Sequence, residues 1–167
     1  MNTFKEISAK DFSMNPFSLK DDWMLITASK DGKTNAMTAN WGGFGYMWHK
    51  EVVYVVIRPQ RYTKEFVDAS ESFSLCFFEK GFKKELNYLG SVSGRNENKI
   101  EKSGLNILDE NGIPYFEESK LVIFVKKLYV QPTGAEFFLD KEIVEKWYPY
   151  ADHHILYIGE VTKILQK

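Results

Sequence analysis

Six consecutive residues, Val-Val-Tyr-Val-Val-Ile at positions 52–57, limit the folds open to this chain more than any other feature. Such β-branched and aromatic residues favour strands, and because both alternating faces of the run are apolar, we expect a central strand buried on both sides. The run is the longest apolar stretch of the chain, yet it falls far short of the ~18 residues that a membrane-spanning helix needs. The sequence therefore predicts a β-rich domain without a membrane span.

A hairpin is predicted early in the chain. Residues 23–28 and 34–39 have strand composition, and the segment between them contains Asp31-Gly32. Asp-Gly supplies the positive φ angles that tight primed turns require. Further strands are expected at residues 73–78, 121–130 and 155–165.

Helical signals are fewer and shorter than the strand signals. Helices are expected at residues 62–69 with Thr63 near the cap, at 82–89 before Gly90, at 96–102 ending at Gly104, and at 141–147 before Pro149. Strands and helices do not alternate regularly, which argues against a doubly wound parallel sheet. We therefore predict a mainly β fold, a closed or partly closed antiparallel barrel with short helices at its edges.

Charge and cysteine content narrow the class of protein. A length of 167 residues suits one domain, which we expect to cover residues 1–167. The 22 Lys and Arg are balanced by 23 Asp and Glu, so the protein has no broad basic surface that would bind nucleic acid. The single cysteine, Cys76, lies in an apolar run and cannot form an internal disulfide. The first residues place charges where a signal peptide is apolar. These features predict a cytoplasmic protein.

Arg58-Pro59-Gln60-Arg61-Tyr62-Thr63 leaves the predicted central strand and enters a helix. Two guanidiniums, a hydroxyl and the free N–H groups of a helix start form a combination that can hold a phosphate monoester. The alternative is that Arg58 forms an ion pair with a carboxylate such as Glu65.

The segment Ser93-Gly94-Arg95-Asn96-Glu97-Asn98-Lys99 is a second candidate for binding an anion. Gly94 allows a turn, and Arg95 and Lys99 share one face if a helix begins here. The alternative is a solvated basic helix start.

A third segment, Met37-Thr38-Ala39-Asn40-Trp41, leads into Gly42-Gly43-Phe44-Gly45. The glycines expose backbone groups to close approach, and the aromatic residues offer flat apolar surface for a planar ring. The Gly-x-Gly-x-x-Gly spacing of a dinucleotide-binding fold is absent. The alternative is a glycine-rich bend at a barrel corner, which needs no ligand.

Four ordered blocks, residues 38–45, 55–63, 93–99 and 154–161, together resemble the flavin reductase-like family of FMN-binding split barrels, which includes the flavoredoxins. The resemblance runs from about residue 12 to residue 164. It implies a homodimeric Greek-key barrel in which FMN lies near the subunit interface.

The resemblance also implies which residues bind FMN. The isoalloxazine ring is expected against residues 37–41 and the phosphate at Arg58, Arg61, Thr63 and Lys99, while Ser93, Gly94 and Arg95 line the ribityl side. His154 corresponds to a histidine near the nicotinamide or the flavin face. The full set of expected cofactor-binding residues is Met37, Thr38, Ala39, Asn40, Trp41, Arg58, Gln60, Arg61, Tyr62, Thr63, Ser93, Gly94, Arg95 and Lys99.

The implied activity is that of an oxidoreductase. Electrons from NAD(P)H or a reduced electron-donor protein would reach bound FMN and then free flavin, a ferric complex or another acceptor. Three alternatives are a non-enzymatic flavin-carrying electron-transfer protein, an oxidase of phosphorylated amines from a related split-barrel group, and a small barrel that binds an apolar ligand.

Overall fold

The computed structural model describes residues 3–167, and the fold is mainly β, as the sequence predicts. The strands are β1 (Lys5–Ile7), β2 (Met24–Lys30), β3 (Lys33–Ala39), β4 (Gly42–Met47), β5 (Lys50–Ile57), β6 (Ser72–Phe77), β7 (Ile107–Glu110), β8 (Ile113–Phe116), β9 (Leu121–Pro132) and β10 (Ile155–Gln166). The α-helices are α1 (Tyr62–Ala69), α2 (Lys83–Ser91), α3 (Lys99–Ser103) and α4 (Lys141–Trp147). In the part of the chain that the structure describes, no helix is long and apolar enough to cross a membrane.

The main sheet is antiparallel and must be rolled up. Its strand order is β3-β2-β6-β9-β10-β5-β4, with β1 paired to β10, and β7 and β8 form a separate hairpin. In a flat sheet β3 and β4 would stand about 29 Å apart, six strand spacings of ~4.8 Å. Only Asn40 and Trp41 join these two strands, and such a connection spans roughly 10 Å at most. The opposite edges of the sheet are therefore close together, which is the geometry of a split barrel.

The predicted hairpin is confirmed. Strands β2 and β3 pair from Lys30 and Lys33 outward, and the turn between them has φ of 52° at Asp31 and 72° at Gly32. Positive φ at both central residues belongs to the primed turn that the Asp-Gly pair predicts.

Strand β5 contains the apolar run at residues 52–57 and is hydrogen-bonded to β4 and β10 on its two sides. Val53, Val55 and Ile57 are fully buried, as predicted, but Tyr54 on the other face is 45% exposed. The expectation of burial on both faces is therefore wrong at Tyr54. The composition of the run could not show this, because an exposed tyrosine and a buried one follow the same periodicity.

All four predicted helices are present, and α2 starts one residue later than expected and continues through Gly90 to Ser91. Helices α1 and α4 begin and end at the predicted residues. Helix α3 begins at Lys99, three residues later than expected, because the side chain of Asn98 caps it by accepting a backbone N–H. It ends at Gly104, which has φ of 74° and so forms the expected left-handed cap.

The glycine-rich segment forms the edge strand β4 rather than a bend. A Cβ on Gly42 would lie 2.5 Å from the carbonyl oxygen of Tyr54, and one on Gly43 would lie 2.5 Å from the Tyr54 hydroxyl. These glycines therefore allow β4 to lie close against β5. The sequence does not predict β1 or the β7–β8 hairpin, because strands of three and four residues carry too little periodicity.

Two apolar clusters hold the fold together. One joins residues of β2, β3, β5, β6, β9 and β10 with α1, and the other packs α2 and the β7–β8 hairpin on the opposite face of β2, β6 and β9. Neighbouring residues alternate between them: Ile26 and Leu75 belong to the first cluster, Leu25 and Cys76 to the second. This alternation is the period of a strand buried on both faces.

Candidate functional site

The site lies where the two edges of the sheet meet. A cavity of about 600 Å³ is lined by residues 37–41 of the β3–β4 connection, by Arg58 and Arg61 after β5, by one side of α2, and by Trp147 and His154. A smaller cavity of about 180 Å³ adjoins it and shares Met37, Arg61 and Ser91 with it.

Aromatic rings form the outer part of the larger cavity. The ring centroid of Trp41 lies 5.2 Å from that of Trp147 and 5.0 Å from that of His154. Thr38 also lines this cavity, and it donates a hydrogen bond to the carbonyl oxygen of Leu86 and so ties β3 to α2. The cavity thus has flat apolar walls and can accept a planar ring.

The smaller cavity is cationic. It is lined by Gln60, Arg61, Tyr62 and Thr63 at the start of α1, by residues 91–93 after α2, and by Lys99. Segments separated by about 35 residues in the sequence therefore meet here. They meet because α1 and α2 both pack against β3.

Lys99 is a buried ammonium, 3% exposed. Its Nζ donates to the carbonyl oxygens of Leu89 at 2.7 Å and Val92 at 3.1 Å. Because an ammonium has three donors, one is left for a ligand. Burial, and then the charge of Arg61, lower the pKa of Lys99 to about 8.

Arg61 lies between the two cavities. Its Nη1 donates to the carbonyl oxygen of Gly90 at 2.9 Å, and burial lowers its pKa. Neither Arg61 nor Lys99 forms a salt bridge within residues 3–167. Two neighbouring, desolvated cations without a carboxylate are unfavourable by themselves, so this arrangement calls for a bound anion.

Arg58 has a different role from Arg61. It forms an ion pair with Asp152 and donates to the carbonyl oxygen of Trp147 at 2.8 Å, and its guanidinium lies 5.3 Å from the centre of the Tyr148 ring. It lines the larger cavity but not the smaller one. The alternative stated from the sequence, pairing with a carboxylate, describes Arg58 correctly, although the partner is Asp152 and not Glu65.

Gly94 and Arg95 lie outside both of these cavities. Arg95 donates to Glu65 at 2.5 Å and to the carbonyl oxygen of Gln60 at 3.2 Å. Because α3 begins only at Lys99, the expectation that Arg95 and Lys99 share a helix face is wrong. Gly94 lies against Asn35, whose Oδ1 would be 2.5 Å from an added Cβ, so its contribution is close backbone packing.

Thr63 and Gln60 are held by neighbouring side chains. Thr63 is buried, and its hydroxyl accepts a hydrogen bond from Asn35 at 3.0 Å. It does not cap α1, whose N-cap residue is Arg61 without a side-chain bond, so that expectation is corrected. Gln60 donates to Asp152 at 2.8 Å.

Some residues at the site were not found by sequence reasoning. Trp147, Tyr148 and Asp152 come from the segment between β9 and β10, and α2 contributes mainly the carbonyl oxygens of Leu89 and Gly90. The aromatic residues shortly before His154 in the sequence could have indicated that this segment contributes to the site. The backbone carbonyl groups carry no signal in the sequence at all.

The arrangement defines a class of site: an aromatic slot that continues into a buried cationic end, at the open edge of a rolled antiparallel sheet. Such a site fits a planar ring with a phosphate tail.

The family model of the flavin reductase like domain matches residues 18–167. The chain belongs to this family.

Solved structures share the fold. An FMN-binding domain of a flavin reductases-like enzyme from Shewanella baltica aligns with a TM-score of 0.73 at 18% identity, over 99% of this chain and 78% of that one. Flavoredoxin of Desulfovibrio vulgaris aligns with 0.69 at 19%, over 98% and 76%. An FMN-binding protein from Thermus thermophilus aligns with 0.68 at 22%, over 87% and 71%. No curated protein sequence matches this chain.

Proposed function

We propose that the two connected cavities bind FMN and that the protein is a flavin reductase-like oxidoreductase. Electrons would come from NAD(P)H or a reduced donor protein and pass to free flavin, a ferric complex or another acceptor. The observation that carries the proposal is the pair of a buried Lys99 and a half-buried Arg61 at the end of an aromatic slot, neither of which meets a carboxylate within residues 3–167. A phosphate dianion supplies the missing negative charge.

The residues of this chain have simple tasks in such a protein. Bound flavin supplies the hydride and electron chemistry. Arg61 and Lys99 hold the phosphate, and Trp41 and Trp147 exclude water from the ring. His154 contributes a neutral imidazole, because burial and the charge of Arg58 lower its pKa to about 4.

The decisive experiment is reduction of the reconstituted protein. We expect FMN to co-elute with the protein in stoichiometric amount and its visible absorbance to bleach after anaerobic addition of NADH or NADPH. A protein that does not bind FMN would refute the proposal. FMN that binds but stays yellow with both nicotinamides, while a chemical reductant bleaches it, would support the flavin-carrying electron-transfer alternative.

A second proposal, also implied by the family resemblance, is a homodimer. The face of the sheet opposite the first apolar cluster exposes Tyr54 and Tyr129, which flank Ile158 in register. Trp48 lies beside Tyr129, with ring centroids 6.3 Å apart. Contiguous exposed aromatic side chains of this kind are typical of an interface.

We expect sedimentation equilibrium to give twice the chain mass of 19.5 kDa. The double variant Tyr54→Arg, Tyr129→Arg should shift the protein to monomer, because each arginine would be desolvated in the interface. Phe137→Arg is the matched control, since Phe137 is 70% exposed on a different segment. A monomeric parent protein would contradict the proposal.

We also propose that residues 1–167 act as one domain in the cytoplasm. The pairing of Lys5 with Gln166 supports a single domain, because both ends of the described chain belong to the same sheet. The lone cysteine, Cys76, is buried, and burial raises the pKa of its thiol. A structural role in a reducing compartment suits such a residue.

A further inference from the structure

The segment between β9 and β10 brings a tyrosine against the histidine of the site. The hydroxyl of Tyr148, which directly follows α4, lies 2.8 Å from Nδ1 of His154. His154 lines the larger cavity. Its other ring nitrogen, Nε2, forms no hydrogen bond within residues 3–167, so it is free to meet a ligand.

The tyrosine is held firmly on all sides. Its side chain is 8% exposed, and its ring stacks on His153 with centroids 4.7 Å apart and an angle of 26°. Phe138 contacts the ring at 5.7 Å, and the Arg58 guanidinium lies 5.3 Å from its centre. The hydroxyl therefore has one fixed position.

The backbone of His154 is fixed as well. Its carbonyl oxygen accepts hydrogen bonds from the backbone N–H of Thr133 at 3.0 Å and from the Thr133 hydroxyl at 2.7 Å. The imidazole packs at 5.0 Å from the Trp41 ring. Rotation of the imidazole is therefore restrained by packing against Trp41 and by the hydrogen bond to Tyr148, of which only the hydrogen bond distinguishes Nδ1 from the other ring atoms.

Which group donates in the hydrogen bond between Tyr148 and His154 depends on the protonation of the two side chains. Burial raises the pKa of Tyr148, so the hydroxyl keeps its proton, and the low pKa of His154, about 4, keeps the imidazole neutral. Within residues 3–167 the Tyr148 hydroxyl meets only one acceptor, Nδ1, because the His154 backbone N–H near it is itself a donor, so the hydroxyl proton is donated to Nδ1. The imidazole proton must then be on Nε2.

We propose that Tyr148 is a positioning residue, whose hydroxyl fixes the tautomer of His154 and so presents its Nε2–H to the cavity as a donor to an amide-type carbonyl oxygen. This rests on the proposed function, in which two ligands carry such a group: the flavin ring and the carboxamide of a nicotinamide. The donor is neutral, so it would orient the carbonyl group of the ligand without adding a charge to the cavity.

The tautomer is tested on the protein without any ligand, by ¹⁵N NMR of the imidazole and the variant Tyr148→Phe. We expect Nδ1 to be unprotonated and Nε2 protonated in the parent protein, and a mixture of both tautomers in the variant. Phenylalanine keeps the stacked ring, and Tyr150→Phe is the matched control because Tyr150 is 88% exposed. A parent imidazole protonated at Nδ1, or a tautomer unchanged in Tyr148→Phe, overturns the proposal.

The ligand is tested by binding and kinetics of the same variant. Loss of one neutral hydrogen bond should weaken the affected ligand about 3- to 10-fold. A higher FMN dissociation constant identifies the flavin carbonyl, whereas a higher KM for NADH with unchanged FMN binding identifies the carboxamide. If neither constant changes, the donor role is overturned.

A second variant separates positioning from folding. Glutamine in His154→Gln retains an N–H donor that does not depend on a tautomer. We therefore expect Tyr148→Phe to have no further effect on the affected constant in the His154→Gln background. A full additional loss in the double variant would show that Tyr148 acts only on packing.

The charges of Arg58 and Asp152 both act on His154, so all these measurements are made at one pH, near 7. Failure of FMN to bind at all would refute the proposed function but leave the NMR result standing.

Discussion

Replacing Arg61 with alanine is expected to weaken FMN binding about 10- to 150-fold and to leave riboflavin binding nearly unchanged. A charged hydrogen bond contributes roughly 1.5 to 3 kcal/mol, and only FMN carries the phosphate that receives it. Arg61 is suited to this contact because it lines both cavities and, among residues 3–167, its side chain donates only from Nη1, to the carbonyl oxygen of Gly90. Fluorescence titration with the two flavins measures the difference.

Arg95→Ala is the matched control for this prediction. Arg95 has the same charge and lies nearby in space, but it is paired with Glu65 and lines neither cavity. We expect its removal to change FMN affinity by no more than about twofold, as for an exposed ion pair. Equal losses for FMN and riboflavin in Arg61→Ala, or a larger loss in Arg95→Ala, would place the phosphate elsewhere.

The affinity for FMN is expected to fall above about pH 8, by up to tenfold for each further pH unit. The pKa of Lys99 in the protein without ligand is lowered to about 8 by burial and by Arg61. A phosphate dianion beside the ammonium raises that pKa, so binding above pH 8 takes up a proton and becomes weaker as protons become scarce. Below roughly pH 6 the phosphate itself gains a proton, and affinity should fall again.

Riboflavin provides the internal control for the pH profile. Any titration of the ring affects both flavins equally, so the ratio of the two dissociation constants isolates the phosphate and Lys99. We define the ratio as the dissociation constant of riboflavin divided by that of FMN. In Lys99→Met this ratio should be smaller than in the parent protein at pH 7. It should also no longer change with pH between pH 8 and 9.5. Circular dichroism checks that the variant folds, because the carbonyl oxygens of Leu89 and Val92 lose their donor. A flat ratio in the parent protein would contradict the phosphate contact.

The ion pair of Arg58 changes which residues we expect to bind the phosphate. The resemblance assigns Arg58 to the phosphate together with Arg61, Thr63 and Lys99. In the structure its charge is balanced by Asp152, and it connects the end of β5 to the segment that carries Trp147. We therefore propose that Arg61 and Lys99 contribute the larger part of phosphate binding and that Arg58 supports the cavity wall.

Local patterns were sufficient for most of the fold. The Asp31-Gly32 turn, the apolar run at residues 52–57 and the bounds of α1 and α4 could be predicted because turn chemistry and periodicity act within a few residues. The order of strands could not be obtained in this way. It depends on which apolar faces meet across the sheet, as in the pairing of β6 with both β2 and β9.

For the candidate site, too, the sequence was sufficient to predict one part and not the other. Sequence reasoning identified the three segments, but it could not separate Arg61 and Lys99 from Arg58 and Arg95. All four are cations beside a turn or a helix start. They differ only in their surroundings: Asp152 is 94 residues from Arg58 and Glu65 is 30 residues from Arg95, while no carboxylate of residues 3–167 forms a salt bridge with the other two.

By itself, the sequence determined the kind of domain, the positions of its longer strands and most of its helices and the family to which it belongs, because these follow from side-chain chemistry repeated along short stretches. Only the tertiary structure decided which charged groups are paired with a carboxylate and which nitrogen of His154 faces the Tyr148 hydroxyl. Those properties depend on burial and on partners distant in the chain, which come together only when the sheet rolls up and joins its two edges.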